Sequence, residues 1–61
     1  EAALRSDPDL HEVHYNLGLA LVQKGRLDEA IAHLERTLAL VPDFEPARTK
    51  LDAVRAMRGR R

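Results

Sequence analysis

Apolar residues recur three and four positions apart along most of the chain, and that spacing predicts helices. The first run is Leu10, Val13, Leu17, Ala20 and Leu21, carried on to Lys24. Asp9 with Glu12 three residues later reads as a reciprocal cap at its start. Gly25, with Lys24 beside it, is a standard stop, so the first helix is predicted over about 10–24. A second run follows, with Ala30, Ile31, Leu34, Leu38, Leu40 and Val41. Asp28 can cap it, Glu29 suits its positive end, and Pro42 closes it, because the residue before proline resists helical geometry. The link Gly25-Arg26-Leu27 is short enough to demand an antiparallel hairpin. In the third run, Phe44, Ala47, Leu51, Val54 and Met57 form one stripe. Asp43 is its expected cap, Pro46 falls in its first turn, and Gly59 ends it.

One residue disturbs this pattern. Gly18 sits among Leu17, Leu19, Ala20, Leu21 and Val22, none of which asks for a break. An interior glycine costs a helix about 1 kcal/mol relative to alanine. The cost makes sense where two backbones meet closely, and Ala30 of the second helix is the natural counterpart.

The runs also repeat. Pro8 and Pro42 stand 34 residues apart, and at that offset Leu4 meets Leu38, Asp9 meets Asp43, Val13 meets Ala47 and Leu17 meets Leu51. Within one period the chain reads His14-x2-Leu17-Gly18-x2-Leu21, then Ala30-x3-Leu34, then Thr37 and Pro42. A helix–turn–helix unit of this period resembles the tetratricopeptide repeat, whose pattern is Trp-x2-Leu-Gly-x2-Tyr, Ala-x3-Phe, Ala and Pro. The segment KGRLDEAI is also what such repeats commonly carry at the turn. His14 for Trp and Thr37 for Ala are the departures. The resemblance implies an all-α fold: an antiparallel helix-turn-helix fragment of an α-solenoid with a C-terminal capping helix. Residues 1–8 would be the end of a preceding repeat helix and its turn, 9–42 one complete hairpin, 43–58 the capping helix and 59–61 a basic tail. The cap follows from Asp52 and Arg55, which replace Gly18 and Leu21 one period on and leave no seat for another packing helix.

The resemblance also implies a function. In such repeats the first helix lines a concave groove that takes a partner's extended or helical segment. The matching residues are Glu12, Tyr15, Leu19, Val22 and Gln23, with Asn16 beside them. Their spacing makes one helical stripe, separate from the stripe 13, 17, 20, 21 and 24. Two apolar stripes on one helix need two partners. One is the second helix; the other is a protein or peptide ligand, a neighbouring repeat, or another copy of the chain. Repeat packing would fall to His14, Leu17, Gly18, Leu21, Ala30, Leu34, Thr37 and Pro42. Of the lysine, asparagine and arginine with which some family members clamp a carboxyl-terminal tail, only Asn16 has a match.

Composition narrows the rest. The chain has 61 residues, no cysteine, and only Tyr15 and Phe44 as aromatics. That is a thin core for a free-standing unit, so homo-oligomerisation is the alternative function. The absence of cysteine fits a reducing compartment and favours the cytoplasm, without excluding export. No apolar run approaches the ~18 residues of a membrane span. No basic-then-apolar leader is evident, and a start at Glu1 suggests a piece of a longer protein.

Net charge is zero but uneven. Residues 1–47 hold four basic and nine acidic side chains, while 48–61 hold six basic residues against Asp52. The arginine-rich end could touch an anionic surface. It carries no stacking aromatics, so nucleic acid is disfavoured and cations complementing a helix dipole are the plainer account.

Candidate chemistry is sparse. His11-Glu12-Val13-His14 spaces its histidines three apart, where the metalloprotease motif needs four. One is read as a surface histidine and the other as a packing histidine, with His33 facing solvent. The hydroxyls Ser6, Thr37, Thr49 and Tyr15 form no visible nucleophile–base arrangement, and Gly18, Gly25 and Gly59 are too scattered for a phosphate loop. No enzyme, cofactor or metal is expected.

Overall fold

A computed structural model describes residues 10–59. The predicted helical stub at 1–6, the Asp9 cap and the Arg60-Arg61 tail lie outside them. Three helices follow in order: α1 over Leu10–Gln23, α2 over Leu27–Leu40 and α3 over Glu45–Gly59. The regular structure of the described residues is all helical, and α2 packs against both α1 and α3.

The two turns follow from local chemistry. Gly25 adopts φ +80°, a left-handed value that an L side chain resists. Its N–H donates to Val22 O at 3.0 Å, and the Arg26 N–H reaches back to Leu21 O at 2.9 Å. That pair of bonds is a Schellman close, which satisfies carbonyls a helix end leaves free. The link is therefore Lys24-Gly25-Arg26, and α2 begins at Leu27, one residue earlier than predicted. Arg26 takes the N-cap position with no side-chain cap bond. Asp28 does not cap; it joins Glu29 in the first turn, where both carboxylates complement the dipole. At the second turn Val41 is extended ahead of Pro42, and the Phe44 N–H donates to Val41 O at 3.1 Å. Pro42 and Asp43 are thus the central residues of a β-turn, with proline where its fixed φ fits. The Arg48 N–H bonds to Phe44 O at 3.2 Å, so Phe44 and not Asp43 stands at the N-cap of α3.

The core is small and lies mainly between α2 and α3. Ala30, Leu34, Ala47, Leu51 and Val54 are buried, with Thr37 as the one buried polar residue described. Tyr15, Leu21, Val22, Leu27, Ile31, Leu38 and Phe44 pack around them, half-buried. On α3 the stripe of Ala47, Leu51 and Val54 turns inward, while Arg48, Asp52 and Arg55 face solvent. Met57, in line with that stripe, is left exposed beyond its end. An exposed ion pair between Arg58 and Asp28 also links α3 to α2, and such pairs contribute little.

Gly18 is the only residue of α1 that is fully covered. A Cβ built on it would lie 3.1 Å from Leu34 Cγ, 3.2 Å from Leu34 Cδ2 and 3.3 Å from the Ala30 carbonyl oxygen. Leu34 is wholly buried and the Ala30 oxygen is backbone, so neither yields freely. We expect Gly18→Leu to destabilise the chain by more than about 2 kcal/mol, since it forces several atoms into that space. For a chain of this size the shift is roughly 8 °C or more in Tm, measurable by thermal circular dichroism. Gly18→Ala should cost less, because ~1 kcal/mol of helix propensity offsets part of the crowding.

Candidate functional site

The candidate site is built on α1, whose orientation is set by Gly18. Residues three and four away from it share its face, His14, Tyr15, Leu21 and Val22, as does His11 seven away. All five are half-buried. Tyr15 and Val22 pack against the core, and the Tyr15 ring meets Phe44 edge-on with centroids 5.4 Å apart. His11 approaches the same Phe44 ring edge-on at 4.9 Å. Phe44 therefore plugs the space between α1 and the start of α3.

The remaining groove residues lie towards solvent. Glu12, Asn16 and Gln23 are exposed, and Leu19 is half-buried but outside the cluster packed on the core. The six groove residues therefore do not form one uniform surface. Tyr15 and Val22 form an inner row and the other four an outer one.

Among the repeat-packing residues, Gly18, Ala30 and Leu34 come together at the point of closest approach, and Leu21 packs beside them. Leu17 lies off this contact. It is 45% exposed, in line with Val13 at 50% and Leu10 at 41%. This outer stripe continues into a cleft of about 460 Å³ between α1 and α2, lined by Leu17, Ala20, Leu21 and Lys24 on one side and Glu29, Ala32 and His33 on the other.

Polar groups bridge the hairpin where they were not foreseen. Thr37 Oγ1 donates to the His33 carbonyl at 3.0 Å, and the His11 carbonyl of α1 lies 3.3 Å away as a second acceptor. His33, expected to face solvent, is half-buried and turned towards His14. Its ring meets that of His14 edge to edge, with centroids 5.3 Å apart and planes 28° apart, and the two Nδ1 atoms are 3.1 Å apart in a hydrogen bond. No spacing rule along one helix could have revealed this pair, because its members are 19 residues apart.

The spacing 14-17-18-21-30-34-37-42 thus folds into an antiparallel hairpin closed on a glycine and followed by a third helix. A family model described as Tetratricopeptide repeat matches residues 1–45, most of the chain. The chain belongs to the tetratricopeptide repeat family. No curated protein and no solved structure matches it significantly. Tetratricopeptide repeats mediate protein–protein interaction, bind proteins or peptides, and are typically non-enzymatic. Among the described residues no helix is long and apolar enough to cross a membrane.

Thr37 stands where the tetratricopeptide pattern has alanine. Its two acceptor carbonyls lie within helices and already receive backbone N–H groups, so loss of its hydroxyl strands neither. Thr37→Val should therefore change stability by no more than about 1 kcal/mol. Urea denaturation followed by circular dichroism measures this.

Proposed function

We propose that the chain is a protein–protein interaction module that takes a partner segment along the outer row of α1. Glu12, Asn16, Leu19 and Gln23 make the direct contacts, with Tyr15 and Val22 as the apolar floor. Membership of the tetratricopeptide repeat family is the observation that carries this reading. The geometry of α1 supports it, because polar side chains beside a part-exposed leucine give both hydrogen-bonding groups and an anchor. In this reading α3 caps the hairpin: its apolar stripe covers α2, and Arg48, Asp52 and Arg55 give it a polar outer face. Contact of an anionic surface with the C-terminal arginines is a weaker alternative, carried by their charge alone.

A second reading has its own support. Leu10, Val13 and Leu17 form an exposed apolar stripe on α1, on the side away from Phe44. Self-association through that stripe would cover it, and a core of five buried apolar residues leaves reason to do so.

The two readings call on different faces of one helix, so they separate cleanly. Peptides selected from a random display library against the 61-residue chain should lose at least about tenfold in affinity on Leu19→Asp, a change of about 1.4 kcal/mol. They should be indifferent to Leu17→Glu. Selected peptides that ignore Leu19→Asp would refute the groove. For self-association, analytical ultracentrifugation should show concentration-dependent mass, and Val13→Glu with Leu17→Glu should leave a monomer. A wild-type chain that stays monomeric at millimolar concentration would remove that reading.

A further inference from the structure

The pattern His11-Glu12-Val13-His14 fails as a metal motif within α1, and the structure turns its two histidines to different neighbours. His11 meets Phe44, whereas His14 crosses the hairpin to His33. We infer that His14 and His33 form a two-histidine chelate for a divalent transition metal of the zinc, nickel or copper class, clipping α1 to α2.

The distance is the main argument. An ion bound by two imidazole nitrogens at about 2.0–2.1 Å, near the tetrahedral angle, holds them about 3.3–3.4 Å apart. The two Nδ1 atoms are already 3.1 Å apart. Each ring must also turn by roughly 35° to aim its Nδ1 lone pair at an ion beside the N–N line, and both side chains are only half-buried and have room to do so. The same two rings line a cleft of about 370 Å³, which leaves room for an ion and its waters.

The chemistry is consistent. In the hydrogen-bonded pair one Nδ1 carries a proton and the other offers a lone pair. An ion needs both lone pairs, so the donor ring moves its proton to Nε2. That is a change of tautomer with no change of charge. Imidazole selects zinc, nickel and copper over magnesium and calcium, which prefer oxygen ligands. Among the described residues no cluster of three or more histidine, cysteine, aspartate or glutamate side chains could hold the ion, so water fills its remaining positions. An ion that binds only the folded hairpin stabilises it by linkage. The clip would add to a hairpin whose α1 side buries a single glycine.

Zinc titration of the full 61-residue chain, with 15N-labelled histidine followed by NMR, tests the proposal. We expect one zinc per chain and movement of the Nδ1 resonances of both His14 and His33. Zinc at about tenfold above its dissociation constant should raise Tm by roughly 5–10 °C. Magnesium should do neither. His14→Gln and His33→Gln should each abolish the response, and His11→Gln should keep it. Nδ1 signals that do not move, or a response that survives loss of His33 or follows His11, overturns the proposal. The Nδ1 signature of the unaltered chain decides the matter even if a variant does not fold.

Discussion

The hairpin depends on one close approach, in which the bare backbone of α1 at Gly18 rests on Leu34 and on the carbonyl of Ala30. An interior glycine weakens α1 by about 1 kcal/mol. Complete burial of a leucine side chain recovers roughly 1.5–3 kcal/mol, and Leu34 has no exposed surface left. The notch is therefore favourable as a unit, although neither member explains itself alone. It also fixes rotation. Once Gly18 faces α2, helical geometry decides which of its neighbours turn inward and which turn out. Every other surface of α1, including the proposed groove, inherits that choice.

This constraint makes the interior lopsided. The fully buried apolar side chains come from α2 and α3, while α1 supplies backbone at its centre and rings at its flanks. His11 and Tyr15 bracket Phe44 edge-on, and His14 is hydrogen-bonded to His33. Aromatic edge contacts add about 0.5–1.5 kcal/mol each beyond area, so these rings tie α1 down without a wide apolar seam. A helix held in this way keeps apolar residues to spare. Leu10, Val13 and Leu17 are those residues, and they make the second face of α1 available to another surface.

Much of this architecture was legible in the sequence. Three helices, the hairpin and the meeting of Gly18 with Ala30 followed from periodicity, from Gly25 and Pro42, and from the cost of an unexplained glycine. Other features were not legible, for identifiable reasons. Because α1 is apolar on two sides, periodicity alone could not say whether Leu17 or Tyr15 lay nearer the core. Asp28 and Asp43 look like caps, but the Schellman close at Gly25 and the β-turn at Pro42-Asp43 set the helix starts by backbone bonds. His33 looked solvent-facing because its partner belongs to another helix. Spacing placed the groove residues on one helical stripe, but their role came through the family resemblance, since exposed Glu12, Asn16 and Gln23 carry no signal in a hydrophobic pattern.

The two departures from the family pattern turn out to be neighbours. His14 replaces a large indole, which taken alone would leave space between the helices. His33 leans across from α2 and meets the His14 ring edge to edge through its Nδ1 hydrogen bond. Thr37, where alanine is usual, sits one turn further along α2 and donates its hydroxyl to the carbonyl of that same His33. It also lies within reach of the His11 carbonyl on α1. A buried hydroxyl without an acceptor would cost about 1–3 kcal/mol, so this bond is what makes threonine tolerable there. The two substitutions thus share one partner, and together they exchange an apolar patch of the hairpin for a polar bridge with a fixed geometry. A hydrogen bond between rings has directional demands that dispersion contacts lack, so the bridge adds to Gly18 a second constraint on how α1 and α2 align.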